Sequence, residues 1–536
     1  MSRHYKNGLA REQAMLLPPC VDDYVSADNP VRAIDAFVDS MDLAELGFQH
    51  AQGAISSGQP AYAPQALLKL YLYSYLMRVR SSRMIERETR RNLEVMWLIG
   101  GLQPSYKTIS NFRKDNAKAL KAANRDFVML CKSLELFGGE LAAIDGSFFR
   151  GNVAKESIYT QARLKKLLKR IDAHIQAYLQ ELETADAAGG EHAGEAAPLA
   201  VKLAELKTRQ AQYEAQLAGL KESGETQYAE VDPDARLLTK NGQSVAGYNV
   251  QIATDAKHKL MVHCDVTADG NDTQQLAPVA HEVKAILEVD TLEVVADAGY
   301  YNQEQIKQCL EAGITPYVPV PEHHKSKQGE RLPRTAFTFE EEANRYRCPQ
   351  GQYLHFRRAL KDGEHTILNY VSTAATCATC PLRMRCLPSK TPYRDIYRWE
   401  HEALLDTHRQ RMKQAGSAMM RTRASMVEHP FGTLKRWCGW VHFLVRGKEK
   451  VSGEMNLLML CYNLKRVLSI FGIDKFREML KQRAKGAKGA NSALQDASAP
   501  LPFHFVRLWL RDLLGRLDFK FLERQHPNRH APVQGL

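Results

Sequence analysis

An apolar run with one carboxylate in its middle constrains the fold of this chain more than any other feature. The run is Leu141–Phe149 (LAAIDGSFF), whose length and apolar residues predict a β-strand. A carboxylate such as that of Asp145 is costly to bury in a strand unless it is paired or bound to a metal ion. This part of the sequence therefore predicts a sheet that contains a charged site.

A second aspartate follows another buried strand. Leu292–Ala296 (LEVVA) predicts this strand, and Asp297 comes directly after it. Gly299 lets the chain turn sharply into a helix predicted across Asn302–Ala312. Between the two aspartates, Val245–Thr267 predicts two strands joined by a short polar turn. A strand with an aspartate, a hairpin, a helix, a strand ending in an aspartate and a helix is the order expected of an α/β, ribonuclease-H-like core.

A third acidic residue, Glu428, lies in a helix predicted across His401–Arg436. With Asp145 and Asp297 it makes a set of three carboxylates that could converge at one edge of the sheet. Such a set can hold two Mg²⁺ or Mn²⁺ ions about 4 Å apart, one activating water or a 3′-hydroxyl and the other stabilising the leaving oxygen of a phosphoryl displacement. An aspartate alone at a strand end is more often a turn or cap residue, so the prediction depends on the three together. The alternatives for the third ligand are Glu400, Glu402 and Glu454.

The first 140 residues are predicted to be helical, with apolar residues at three- and four-residue spacing in segments such as Ala66–Met77. Arg78–Asn92 is rich in arginine, and Pro104–Asn116 predicts a turn followed by a helix capped by Ser105 or Thr108. Two basic helices separated by a turn fit a helix-turn-helix, and the alternative, which the pattern alone slightly favours, is a helical bundle with arginines on a solvated face. On the first interpretation, the DNA-binding candidates are Arg78, Arg80, Arg83, Arg87, Arg90, Arg91, Arg113 and Lys114.

Two insertions are predicted within the core. Residues 158–222 contain two apolar seams at heptad-like spacing, separated by the Ala/Gly-rich stretch Thr184–Pro198, and this pattern predicts an antiparallel helical hairpin. The hairpin could serve subunit contacts, DNA contacts or structure alone. Residues 321–399 have no long hydrophobic period and form the second insertion.

The second insertion carries a group of four cysteines: Cys348, Cys377, Cys380 and Cys386. The C-x-x-C pair within this group favours a tetrahedral structural Zn²⁺ site, and the alternative is a set of reduced, buried thiols. His355 could replace one ligand. The six other cysteines stand singly, mostly in apolar surroundings, and are predicted to be core residues: Cys20, Cys131, Cys264, Cys309, Cys438 and Cys461.

Charge and hydropathy narrow the class of protein. The chain has 73 lysines and arginines against 61 acidic residues, an excess of +12 that favours a polyanionic partner only weakly. The polar segment Met1–Arg11 leads into no apolar run, so we expect no signal peptide. The apolar runs are shorter than the roughly 20 residues that a membrane span needs. We therefore expect a cytoplasmic protein without membrane contact, with its ten cysteines reduced or bound to metal.

Several separate blocks resemble one known family. IDGSFFRGN at Asp145, VVADAGYYNQEQ at Asp297 and VEHPFGTLKRW at Glu428 resemble the three catalytic blocks of bacterial insertion-sequence transposases of the DDE superfamily. DNPVRAIDAFVDS, SSRMIERETRRNLEVMWLIGG and KTISNFRKDN resemble the N-terminal domain of one subgroup. The resemblance covers roughly residues 15–470, with the blocks in the order of the family.

This resemblance implies a DNA transposase that cleaves at terminal inverted repeats and joins the freed 3′ ends to target DNA. It implies double-stranded DNA as partner, a homo-oligomer assembled on that DNA, and association with the nucleoid while bound. A metal-dependent nuclease that does not join strands, and a non-catalytic DNA-binding regulator, remain alternatives.

The resemblance also bears on DNA contacts near Glu428. Lys435 follows Glu428 with six residues between them, as in a signature of related transposases whose lysine contacts a DNA phosphate. Lys435 and Arg436 are therefore DNA-binding candidates, and Arg423 is a further one. The arginine and tyrosine of that signature are replaced here by Ala424 and Arg421, and Arg423 stands one position before the expected arginine.

The predicted organisation joins these features into one chain. It comprises a helical DNA-binding domain (1–140), a first part of the catalytic core with the hairpin insertion (141–320, with 158–222), a cysteine-rich insertion (321–399), a second part of the core (400–482), and a linker with a C-terminal appendage (483–536).

Overall fold

The computed structural model describes residues 20–52, 60–187, 193–240, 242–321, 331–363, 365–437 and 439–483. The appendage predicted at 483–536 therefore lies almost entirely outside the described residues, as does Cys438. The N-terminal part is helical where it is described. Its helices are α1 (Pro30–Asp39), α2 (Pro64–Leu76), α3 (Ser82–Arg91), α4 (Leu93–Leu98), α5 (Tyr106–Asp115) and α6 (Ala117–Ser133).

Strands and helices alternate in the rest of the chain. The central elements are β1 (Leu141–Arg150), β2 (Ile158–Thr160), α7 (Gln161–Ala187), α8 (Ala193–Ser223), β3 (Gln227–Ala229), β4 (Arg236–Lys240), β5 (Gln243–Asp255), β6 (Met261–Thr267), α9 (Leu276–Leu287), β7 (Leu292–Val295), α10 (Gln303–Glu311) and β8 (Ile314–Tyr317). The later elements are β9 (Thr338–Glu340), β10 (Arg345–Arg347), β11 (Tyr353–Asp362), β12 (His365–Val371), α11 (Ala374–Ala378), α12 (Arg383–Cys386), β13 (Asp395–Trp399), α13 (Glu402–Gly432) and α14 (Lys448–Phe471).

Local patterns predicted most of these elements correctly. The strands predicted around Asp145, before Asp297 and across Val245–Thr267 are confirmed as β1, β7 and the pair β5 and β6. Ser105 caps α5, as predicted, because its side chain accepts a hydrogen bond from the backbone N–H of Thr108. The two helices of the predicted hairpin are confirmed as α7 and α8, which pack against each other.

A six-stranded mixed sheet lies at the centre. Its order is β4–β5–β1–β7–β8, and β6 also pairs with β5. β1 is antiparallel to β5 and parallel to β7, and β7 is parallel to β8. The register of β1 on β7 pairs Leu141 with Glu293 and Ala143 with Val295. Continued by two residues, this register sets Asp145 beside Asp297, so the two aspartates lie level on neighbouring chain segments.

Helix α13 covers the face of the sheet that carries Asp145. Because side chains alternate along a strand, Ala143 and Asp145 point to the same face of β1. Ala143 packs there with Met426 and Val427 of α13 in a small buried cluster. Further along, the rings of Phe149 and Phe431 lie 6.1 Å apart. The opposite face contributes Ala142 and Ile144 to the main core, which it shares with α9 and α14.

The N-terminal helices share that main core. Leu120 and Phe127 of α6 are fully buried and belong to the same cluster as Ile144 of β1 and Met455 of α14. A buried ion pair also joins the two parts, since Arg113 Nη1 lies 3.4 Å from Glu454 Oε1. The predicted boundary at residue 140 falls at the start of β1, but the hydrophobic core continues across it.

The cysteine-containing insertion has a sheet that the sequence pattern did not predict. Five antiparallel strands lie in the order β13–β12–β11–β10–β9 around a small core of their own. Its strands are mostly exposed on one side, and β11 has only one buried residue, Leu354. A strand without a continuous apolar face gives little periodic signal. In the described part of the chain, no helix is long and apolar enough to cross a membrane.

Candidate active site

Asp145 and Asp297 meet around one guanidinium group. Arg423 of α13 places its Nη2 atom 2.7 Å from Asp145 Oδ1 and 3.6 Å from Asp297 Oδ2. The side chain of Asp145 is 19% exposed and that of Asp297 is 36% exposed, so both carboxylates can still be reached from solvent. Two carboxylates that share one cation form a site of net negative charge at the edge of the sheet.

A tight turn fixes the second aspartate. Asp297 caps the 3-10 turn Ala298–Tyr300, and its Oδ1 atom accepts a hydrogen bond from the backbone N–H of Gly299 at 2.8 Å. A Cβ atom at residue 299 would lie 2.9 Å from that same oxygen, closer than side chains tolerate. A larger residue at position 299 would therefore displace the carboxylate of Asp297 from this position.

Lys435 contacts β1, the strand that carries Asp145, two and three residues beyond that aspartate. Its Nζ atom donates hydrogen bonds to Ser147 Oγ at 2.5 Å and to the Phe148 carbonyl at 2.8 Å. Lys435 lies on a π-helical turn, Thr433–Trp437, that follows α13. Ser147 shares the face of β1 with Asp145. The half-buried strand surface next to Asp145 is thus bordered by two cations, Arg423 and Lys435.

Glu428 lies between these two cations along α13. It is exposed, whereas its neighbours Met426 and Val427 are buried against the sheet. Glu428 is five positions after Arg423, a rise of about 7.5 Å along a helix. Within the described ranges, no three His, Cys, Asp or Glu side chains are grouped closely enough to hold a metal ion. The structure therefore brings together Asp145 and Asp297, and leaves Glu428 on the adjacent helix without joining the pair.

The alternatives to Glu428 have other partners. Glu402 is buried and pairs with Arg334 and Arg409. Glu454 pairs with Arg113 and also accepts hydrogen bonds from backbone N–H groups after residue 443. Glu400 accepts a hydrogen bond from the backbone N–H of Thr366 in the cysteine-containing insertion.

A buried polar network behind the aspartates was missed by sequence reasoning. Asp272 Oδ1 accepts hydrogen bonds from Asn249 Nδ2 at 2.8 Å and from Gln251 Nε2 at 2.7 Å. The hydroxyl of Tyr300 donates to Gln251 Oε1. A Cβ atom at Gly146 would lie 2.6 Å from both Asp272 Oδ1 and Gln251 Nε2, so the network presses directly on the strand that carries Asp145.

Burial of this network determines the protonation state of the Tyr300 hydroxyl. Asn249, Gln251 and Tyr300 are fully buried, and Asp272 is nearly so. Burial, with the carboxylates of Asp272, Asp145 and Asp297 nearby, raises the pKa of the Tyr300 hydroxyl well above its usual range. Tyr300 therefore stays protonated and donates its hydrogen bond at any physiological pH. The available sequence signal was the pair of amides, Asn249 and Gln251, within an otherwise apolar strand.

Most of the predicted basic residues of the N-terminal helices lie on the surface. Arg90 and Arg91 pair with Glu86 and Glu88 of their own helix. Arg83 stacks on the ring of Tyr106 at 5.1 Å. The exposed members of the set are Arg78, Arg83, Arg87, Arg90, Arg91 and Lys114.

Two of the predicted DNA-binding residues are engaged inside the protein. Arg113 is 3% exposed, donates to the Tyr75 hydroxyl at 2.9 Å and pairs with Glu454, so its guanidinium cannot reach a phosphate. The assignment of Arg113 to DNA is thus corrected, because a buried carboxylate holds it. Arg80 donates to the carbonyls of Gly439 and His442 and stacks on Trp440 at 4.3 Å.

The four cysteines of the insertion lie in one neighbourhood. Burial raises the pKa of the Cys386 thiol, and the nearby thiols of Cys377, Cys380 and Cys348 raise it further. The backbone N–H of Cys380 donates to the carbonyl of Cys377, and Ser372 Oγ lies 3.1 Å from Cys377 Sγ. The described thiols are not arranged as a closed set of ligands.

Two transposase family models match parts of this chain. A family model described as "Transposase DDE domain" matches residues 215–464, and one described as "Transposase domain (DUF772)" matches residues 19–115. Asp297, Arg423 and Glu428 fall within the first match, whereas Asp145 precedes it. No curated protein matches the chain.

Among solved structures, a cryo-EM structure of the piggyBac transposase synaptic complex with hairpin DNA shares 11% identity with this chain. The match covers 92% of this chain and 85% of that one, with a TM-score of 0.29.

The chain that forms this mixed α/β core thus belongs to the transposase class of protein. Within that class, the chain is a member of the DDE transposases of insertion sequences, because both its helical N-terminal part and its catalytic part match transposase families.

Proposed function

We propose that this transposase cleaves DNA at the ends of its element and joins the freed 3′ ends to target DNA, using two Mg²⁺ or Mn²⁺ ions held by Asp145, Asp297 and Glu428. The observation that carries the proposal is the shared contact of Asp145 and Asp297 with Arg423. Bound ions would activate the attacking oxygen and stabilise the leaving oxygen of a phosphoryl displacement.

The donor set fits divalent metal ions. Carboxylate oxygens are the ligands that Mg²⁺ and Mn²⁺ prefer. The guanidinium of Arg423 lies 2.7 and 3.6 Å from oxygens of the two aspartates, where a bound metal ion would also lie in this proposal. Glu428 is the best third ligand among the nearby glutamates, because it is exposed, whereas Glu402 and Glu454 are buried in ion pairs.

The strand order supports a ribonuclease-H-like core. β5 and β6 form an antiparallel pair beside β1, and the parallel strands β7 and β8 follow on its other side, connected through α9 and α10. In such an arrangement the middle of β1 and the end of β7 are adjacent, which supports a shared role of Asp145 and Asp297. We assign residues 141–320 and 400–482 to this core.

The cations around the site suit a DNA backbone. Arg436 is exposed beside Lys435, and the exposed arginines of α3 offer further phosphate contacts. We propose that these residues position double-stranded DNA, as terminal repeats and as target, in a homo-oligomer assembled on it. The proposed location is the bacterial cytoplasm, on the nucleoid while DNA is bound.

The experiment separates binding, cleavage and joining. Asp145→Asn, Asp297→Asn and Glu428→Gln should each abolish cleavage of terminal-repeat DNA and strand transfer of pre-cleaved ends, while end-binding in a gel-shift assay is retained. Glu400→Gln is the matched control, since it lies beside α13 and is engaged with the insertion.

The outcomes distinguish the third metal ligand and the two alternative functions. Retained Mg²⁺-dependent nicking in Glu428→Gln, with loss in Glu400→Gln, would reassign the third ligand. Wild-type cleavage without joining of pre-cleaved ends would establish the nuclease alternative and overturn the strand-transfer part of the proposal. Binding without either reaction would leave a DNA-binding regulator.

A further inference from the structure

The helical hairpin α7–α8 projects from the end of the strand that carries Asp145. Residues 151–157 connect the end of β1, the strand that carries Asp145, to β2, which pairs with β3 at the base of the hairpin. At 27 residues, α7 is about 40 Å long. Within the described residues, its main contacts are with α8 and with the base strand β2. The hairpin is therefore an arm whose base follows the end of the strand that carries Asp145.

The base of this arm is well fixed. Arg163 Nη1 donates to the carbonyls of Lys155 and Ile158 at 3.0 and 2.9 Å, and its Nη2 donates to the carbonyl of Glu156 at 3.0 Å. Ile158 packs with Ala229 and Ala246 in a small buried cluster. The arm consequently leaves the core in a defined direction, and side chains on its first turns keep a fixed relation to the sheet.

One face of α7 near the base carries only positive charge. The segment Gln161–Arg170 contains five cations and no acidic residue. Arg163 serves the base, and the four others are exposed: Lys165, Lys166, Lys169 and Arg170. We call these four residues the α7 basic face.

The α7 basic face points away from the partner helix. Leu164, Ile171 and Ile175 are the buried apolar residues on one side of α7, and α7 packs mainly against α8. At about 100° per residue, Lys165, Lys166, Lys169 and Arg170 centre on the side of α7 opposite that buried side. The nearest acid on the helix, Asp172, accepts a hydrogen bond from Gln210 of α8 at 2.6 Å. Four cations without interspersed acids match the regular negative charge of a nucleic-acid backbone.

We propose that the α7 basic face grips the phosphate backbone of duplex DNA that extends beyond the aspartates, making the hairpin a non-specific DNA clamp. This inference rests on the proposed function for the identity of the DNA. Helix α8 differs in composition, because its exposed cations alternate with Glu205 and Glu214. A polyanion is expected to favour the α7 side of the arm for this reason.

The test compares two full-length variants with equal charge change. One replaces the α7 basic face (K165Q/K166Q/K169Q/R170Q). The matched control removes four exposed cations of α8 (K202Q/K207Q/R209Q/K221Q). Affinities for a terminal-repeat duplex and for an unrelated duplex of equal length are measured by fluorescence anisotropy over a range of KCl concentrations, without divalent metal. Circular dichroism checks that helix content is unchanged.

The α7 variant should weaken binding to both duplexes by similar factors, roughly tenfold or more. It should also make the negative slope of log affinity against log salt shallower by about 2 to 4, since each lost phosphate contact contributes about 0.9 to its magnitude. The α8 control should change the slope by less than about 1. At saturating protein, the α7 variant should still cleave, because Asp145 and Asp297 are untouched.

Equal slope changes in both variants, or none in the α7 variant, would overturn the clamp. A loss of self-association in sedimentation without a change in slope would instead make this face a contact with a second copy. A wild-type protein that binds DNA with a normal α7 effect but does not cleave would contradict the proposed chemistry and leave the clamp standing.

Discussion

At the scale of single residues, the site depends on which cation faces which carboxylate. Asp145 and Asp297 lie side by side because of the register between β1 and β7. Their mutual repulsion is relieved by Arg423, 2.7 Å from one and 3.6 Å from the other. An arginine that sits between two prospective metal ligands competes with the metal for them.

Because of this competition, removal of the Arg423 side chain should strengthen metal binding. Arg423→Ala should increase the affinity of the DNA-free protein for Mn²⁺ by about tenfold, because one partly buried positive charge is removed from beside the two carboxylates. Arg421→Ala removes an exposed charge from the same helix and is the control. Isothermal titration or Mn²⁺ paramagnetic resonance would measure the change. Unchanged or weaker Mn²⁺ binding in Arg423→Ala would show that the arginine does not compete for these ligands.

At the scale of elements, buried ion pairs join helices that are distant in the chain. Arg113 of α5 and Glu454 of α14 are 3% and 0% exposed. Glu454 also accepts hydrogen bonds from the backbone N–H groups of Leu444 and Val445. Removing one partner of a buried pair leaves an uncompensated charge in the interior.

Arg113→Ala should therefore lower the free energy of unfolding by about 3–5 kcal/mol. Its neighbour Lys114 is exposed, so Lys114→Ala should change stability by less than about 0.5 kcal/mol. Denaturant unfolding of the full chain would measure both. If Arg113→Ala kept normal stability and lost terminal-repeat binding, the original assignment of Arg113 to DNA would be restored.

The cysteine-containing insertion is a second element with its own small core. We predict one Zn²⁺ per chain, bound by Cys348, Cys377, Cys380 and Cys386, serving structure and not phosphoryl transfer, because a closed thiolate site leaves no open position. Elemental analysis of protein purified without chelator would detect it, and C377S/C380S should lose the metal. The matched variant Cys309→Ser, in a buried thiol outside the insertion, should retain it. Absence of zinc in the wild type would leave reduced thiols as the answer.

At the scale of the whole molecule, the helical N-terminal part and the sheet are one folded body. α6 packs on α14, and Leu120 and Phe127 share a hydrophobic cluster with Met455. Separating the chain at residue 140 would expose these apolar side chains and leave Arg113 without Glu454.

We therefore predict that a fragment of residues 1–140 does not unfold cooperatively, although it contains α1 to α6, the helices described in that segment. Loss of near-ultraviolet circular dichroism and a broad thermal transition would be the signs, with the full chain as reference. A sharp transition in the fragment would mean that the N-terminal helices form an independent domain. DNA binding by the exposed arginines of α3 should accordingly be measured in the full chain.

The sequence alone determined features that depend on local pattern. Alternation and apolar runs located β1 with Asp145 and β7 with Asp297, and heptad-like spacing located the hairpin of α7 and α8. Ser105 was recognisable as a cap because its role involves only residues three positions away. These features are readable because side-chain periodicity and capping act within a few residues.

Only the tertiary structure decided which charges meet. Arg113 and Arg83 are both basic residues on N-terminal helices, yet the first is buried against Glu454 and the second is exposed. The contact of Arg423 with Asp145 and the network of Asp272 with Gln251 likewise join residues from different elements. The physical reason is that a charge or amide has the same local pattern whether it is solvated or paired, and burial by distant elements selects its partner.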